Sequence, residues 1–92
     1  MATLSITKRH KLSHRKAKAA AQKVADELQQ RYQLDYEWNG DTIEFERSGL
    51  KGELHVGAKE VRLDAQLGFL LSVFKPNIEQ AVQDEFGKHF GA

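Results

Sequence analysis

Cysteine is absent from the 92 residues, which excludes disulfides, thiol catalysis and cysteine-ligated zinc or iron–sulfur centres. Proline occurs once, at Pro76, and no linker, repeat or low-complexity segment divides the chain. Long hydrophobic runs are also missing. The longest apolar stretch, 67–74, is interrupted by Gly68 and Ser72 and is far too short to span a bilayer as a helix. The opening residues, Met1-Ala2-Thr3-Leu4-Ser5-Ile6-Thr7-Lys8, have no continuous apolar core of the kind a signal peptide needs, so a cytoplasmic location is expected. Neither a phosphate-cradling glycine loop nor a nucleophile elbow is present.

What the chain does contain is an ordinary globular mixture, 40% hydrophobic and 29% charged, which argues against disorder; one domain over residues 1–92 is expected. The net charge of +1 hides an asymmetry. Residues 1–31 carry eight Lys/Arg against two acids, a net +6, and residues 32–92 carry six Lys/Arg against eleven acids, a net −5.

The periodicities give the elements. Leu4 and Ile6 alternate with Ser5 and Thr7, the pattern of a half-buried strand. Ser13 is placed to cap a helix running to about Tyr32, whose stripe Ala17, Ala21, Val24, Leu28 and Tyr32 is small enough in its first half to lie close to a sheet. Four short strands follow, with apolar faces at Tyr36/Trp38, Ile43/Phe45, Leu54/Val56 and Val61/Leu63/Ala65/Leu67. Asn39-Gly40 predicts a type I′ hairpin turn, Ser48-Gly49 a second turn and Gly57-Ala58-Lys59 a third. After Gly68 one helical turn is expected over 69–74. Pro76 then starts or kinks a helix with the stripe Ile78, Ala81, Val82, Phe86 and Phe90, which Gly87 and Gly91 weaken at its end.

The predicted order is therefore β-α-β-β-β-β-α. The fold class is α+β: a two-layer, mainly antiparallel sheet with both helices on one face, like a reduced helix-grip fold. The first strand is placed at the edge, antiparallel to the last.

Candidate sites are few. Of the histidines, His10 and His14 fall on either side of the helix start, no acid sits beside any histidine at a metal-site spacing, and all four read as exposed polar residues; no metal or cofactor is expected. Carboxylates such as Glu44 and Glu46 alternate onto a solvated strand face, where acid–base catalysis has no cleft to work in, so an enzyme is not expected. The basic segment Lys8, Arg9, Lys11, Arg15 and Lys16 could contact phosphates, but no aromatic platform interleaves with it, and tight nucleic-acid binding is not expected. The apolar turn carries Phe69, Leu70, Val73 and Phe74 on more faces than one small core can take. Two readings stand: the core swallows the turn, or part of it is a contact surface for a partner or a second subunit.

Several stretches in order resemble the polyhydroxyalkanoate granule region family, the polyhydroxyalkanoic acid system proteins. They are ATLSITKRHKLS, AAAQKVADEL, YEWNGDTIEFERSGLKGEL and VRLDAQLGFLLSVFKPNIEQAV, together spanning nearly the whole chain. The resemblance implies bacterial origin and a place among proteins of polyhydroxyalkanoate synthesis, storage and granule surfaces, with no catalytic residues to carry over. It points to a non-enzymatic accessory protein that meets a granule, a granule-associated protein or its own second copy in a homodimer through the apolar turn. The alternatives are a binder of small hydrophobic acyl chains between sheet and helix, and a nucleic-acid-binding regulator.

Overall fold

The computed structural model describes residues 2–69 and 71–90. Its elements are strand β1 (Ala2–Arg9), helix α1 (His14–Tyr32), strands β2 (Asp35–Asn39), β3 (Thr42–Arg47), β4 (Leu50–Val56) and β5 (Glu60–Leu67), a 3₁₀ turn (Leu71–Phe74) and helix α2 (Lys75–Phe90). The strands form one antiparallel sheet in the order β1-β5-β4-β3-β2, with β1 at the edge beside β5. This is the α+β arrangement the periodicities predict.

One face of the sheet is apolar because each strand alternates strictly. Leu4, Ile6, Ile43, Phe45, Leu54, Val56, Val61, Leu63 and Ala65 all lie in the buried cluster, and Ala17, Ala21, Val24, Leu28, Val82, Phe86 and Phe90 of the two helices lie in it with them. Both helices therefore cover the same face. Ser13 caps α1 as predicted, its Oγ accepting from the Lys16 backbone N–H at 3.3 Å. At the other end Gln33 adopts the left-handed conformation (φ 56°, ψ 47°) and its N–H donates to Gln29 O. Pro76 stands in the first turn of α2, where its missing N–H has no helical partner to lose. The helix continues through Gly87 because Phe86 and Phe90 are both buried and meet edge-on, ring centroids 5.8 Å apart.

Two sequence expectations need correction. The β2–β3 register pairs Asn39 with Thr42, so the two loop residues are Gly40-Asp41 and not Asn39-Gly40. Only Gly40 of the two has positive φ (65°), the pattern of a type II′ turn, in which glycine at the first central position suffices. The histidines are not uniformly exposed either. His10 is 7% exposed. Its Nδ1 accepts from the Leu12 N–H at 3.2 Å, which leaves Nε2 to donate to Gly57 O at 3.1 Å. The ring also stands 5.6 Å from that of Phe90. The imidazole thus joins the end of β1, the β4–β5 turn and the end of α2.

Candidate functional site

The 3₁₀ turn exists because β5 ends against a glycine pair. Gly68 N–H donates to Gly49 O at 2.7 Å, and a Cβ on Gly68 would lie 3.3 Å from Gly49 Cα and O. The chain then turns through Leu71 N–H to Gly68 O, 3.1 Å, and Ser72 Oγ closes on Phe69 O, 2.7 Å. This geometry turns three large apolar side chains outward: Phe69 is 83% exposed, Val73 73% and Phe74 50%. Leu71 is half-buried. Leu70, named with them from the sequence, lies outside the described residues. Among the described residues these three are the exposed large hydrophobics, and all come from one turn.

The basic residues do not gather in the same way. Lys8 and Arg9 are neighbours on β1 and so project to opposite faces of the sheet, Arg9 standing opposite Glu60. Lys11, Arg15 and Lys16 are exposed around the start of α1, whose first turn contains no acid. Lys18 turns away to Asp41 (3.4 Å) and lies over the Trp38 ring, 5.0 Å from its centroid.

The uncovered face of the sheet is strongly acidic. The registers align Glu37, Glu44, Glu53 and Asp64 in one row across four strands. His55 pairs with Glu53 at 3.1 Å and Arg62 with Asp64 at 3.0 Å. Inside the sandwich the row Phe45-Gly52-Ala65-Leu4 leaves a gap, since Gly52 and Ala65 have little or no side chain between two large ones. The resulting apolar cavity is about 50 Å³, bordered by Leu28, Leu34, Leu63 and Val82 among others. Pockets that hold small molecules are larger, about 300–1,000 Å³.

A polar network ties α1 to β2 at one edge. Trp38 Nε1 donates to Gln22 Oε1 (2.6 Å), and Tyr36 donates its hydroxyl proton to Asp26 Oδ1 (2.5 Å) while accepting from Gln22 Nε2 (2.6 Å). The Asp26 hydrogen bond, with burial behind it, pushes the Tyr36 hydroxyl above its usual range.

The sequence reading missed one cluster. Glu85 precedes His89 by four residues on α2, one turn away on the same face, and Glu27 reaches them from α1. His89 Nε2 lies 2.6 Å from Glu27 Oε2 and 3.4 Å from Glu85 Oε2, and Lys88 Nζ holds Glu27 Oε1 at 2.9 Å. Contrary to the expectation that no acid stands at a metal-site spacing from a histidine, Glu85 lies one turn from His89; that i, i+4 pair is present in the sequence, and Glu27 joins it only through helix packing. The Glu85 carboxyl beside it, then His89 and Lys88, hold Glu27 down to about 2. Burial and the facing Glu27 carboxylate push Glu85 up.

The family model described as "Putative polyhydroxyalkanoic acid system protein" matches residues 4–90. A solved structure, the NMR structure of PA4090 from Pseudomonas aeruginosa, is similar with a TM-score of 0.64 at 11% identity, covering 100% of this chain and 88% of that one. At that identity the likeness speaks for the fold. No curated protein matches. No helix among the described residues is long and apolar enough to cross a membrane.

Proposed function

We propose, because the chain belongs to the polyhydroxyalkanoic acid system protein family, that it is a non-enzymatic accessory protein of polyhydroxyalkanoate storage that attaches to the granule surface through Phe69, Val73 and Phe74. Membership makes it a protein associated with the polyhydroxyalkanoate system. The apolar contact rests on one observation: the exposed large hydrophobics of the described residues are concentrated in the single turn that ends the sheet. Burying each such side chain is worth about 1.5–3 kcal/mol, enough in sum for a modest, reversible attachment. A second copy of the chain is the competing occupant. Binding of an acyl chain inside the sandwich has little support from a cavity of about 50 Å³.

The experiment is fractionation of the bacterial host under storage conditions, comparing wild type with Phe69→Ser/Val73→Ser/Phe74→Ser. Wild type should sediment with granules and the triple variant should remain in the cytosol. Because Phe69 and Val73 are largely exposed and Phe74 half-exposed, the triple variant should lose no more than about 2 kcal/mol of stability, whereas Phe86→Ala alone in the core should cost about 3–5 kcal/mol. A triple variant that still travels with granules would refute the assignment. So would a wild type that stays cytosolic. If light scattering shows a wild-type dimer that the triple variant loses, with no granule attachment, the patch belongs to a second copy.

A further inference from the structure

We propose that Glu27, Glu85 and His89 form a binding site for a divalent transition-metal ion of the zinc class, which would clasp α1 to α2. The inference is independent of the granule reading and uses a different part of the molecule.

One ligand atom from each of Glu27, Glu85 and His89 lies within 4.8 Å of the other two. Bonds of about 2.0–2.2 Å to a tetrahedral zinc ion put its ligand atoms roughly 3–3.5 Å apart. The Glu85 Oε2 to His89 Nε2 distance, 3.4 Å, already meets that. The Glu27 Oε2 to His89 Nε2 distance is a 2.6 Å hydrogen bond and needs to open by less than about 1 Å.

Glu85 carries the second observation. Its Oε2 is buried and has no hydrogen-bond partner, although Glu27 and His89 stand beside it. A buried carboxyl oxygen without a hydrogen bond is costly, and a cation between the three groups would engage it. The outer shell also fits. Ligating carboxylates are usually held by a further hydrogen bond, and Lys88 supplies one to the oxygen of Glu27 that faces away from His89. The side chains of Glu85 and His89 are 13% exposed and that of Glu27 36%, so the site is walled on two sides and open on the third, where a water could complete the coordination.

The donor set selects the class of ion. One imidazole nitrogen and two carboxylate oxygens suit zinc and its first-row neighbours. Calcium asks for six to eight oxygens, and magnesium is reluctant to give up its water shell to such a site. On binding, His89 gives up to solvent the Nε2 proton that it donates to Glu27, and the freed lone pair goes to the ion while the proton on Nδ1 stays; a proton held on the Glu85 carboxyl leaves the same way.

The test is titration of the chelator-stripped full chain with Zn²⁺ by calorimetry, repeated with Co²⁺ and followed by visible absorption. One ion per chain should bind saturably, with a thermal midpoint that rises with Zn²⁺ and not with Mg²⁺. Glu85→Gln and His89→Gln should each weaken Zn²⁺ at least tenfold, while His14→Gln and His55→Gln, at exposed positions, should not. A measurement on wild type protects the result should a variant fold poorly. Zn²⁺ should move the imidazole nitrogen resonances of His89 in long-range ¹H–¹⁵N spectra and leave those of His14 and His55 in place. Absence of saturable binding, or shifts confined to His14 or His55, would show that the cluster is an ion-paired helix clasp without a metal.

Discussion

Glu44 stands directly opposite Glu53 in the β3–β4 register, on the uncovered face of the sheet. Glu37 opposes Glu44 from the other side. Among the described residues Glu44 has no ion pair, unlike Glu53, which has His55 at 3.1 Å. Like charges directly opposite destabilise a sheet by about 0.2–1 kcal/mol. Glu44→Lys should therefore raise the thermal midpoint, by an amount that shrinks at 1 M salt. A lower midpoint at low salt would show that the acidic row is not under repulsion.

His10 should matter more than an ordinary loop residue. Replacing it by alanine leaves the Leu12 N–H and the Gly57 carbonyl without partners and empties the space beside Phe90. The expected cost is about 2 kcal/mol or more. His10→Leu, which keeps most of the volume, should recover only part of it. Denaturant unfolding decides the matter, and a loss below about 0.5 kcal/mol for His10→Ala would mean that water replaces the imidazole at no cost.

Gln33 ends α1 in a conformation that a side chain makes unfavourable by about 1–2 kcal/mol. Gln33→Gly removes that strain and adds unfolded-state entropy, so a net gain of up to about 1 kcal/mol is expected. A destabilised variant would show that the Gln33 side chain makes contacts that outweigh the strain.

Tyr36 should ionise late. Its folded-state value is raised above 10.0, chiefly by the hydrogen bond to Asp26, so the folded protein holds this proton more tightly than the unfolded chain does. The associated stability is fully present below about pH 10 and is lost as pH rises through the folded value. Absorbance at 295 nm should show a step above pH 10 that Tyr36→Phe abolishes and Asp26→Asn moves down. A step unmoved by Asp26→Asn would break the assigned cause.

Much of the fold was readable because it depends on short-range patterning. Ser13 announced the start of α1, and the alternation of residues such as Val61, Leu63 and Ala65 announced a strand with one buried face. Gly40 shows the limit. The dipeptide Asn39-Gly40 marked a hairpin, but register decided which residues occupy the turn, and register is set by pairing along both whole strands. The apolar excess of the 69–74 turn was also visible, while which side chains face outward was not: Phe69 and Val73 turn out and Leu71 partly in because Gly68 packs on Gly49.

By itself the sequence determined the element order, the single apolar sheet face, the two helical stripes and the family, since each is a property of neighbouring residues or of a pattern along the chain. Tertiary structure alone decided where polar side chains from distant positions meet. His10 reached Gly57 across 47 positions and Glu27 reached His89 across 62, so their burial and partners follow from how two helices pack on a five-stranded sheet. A polar residue is buried only if that packing brings it a partner, and no local period encodes the partner's position.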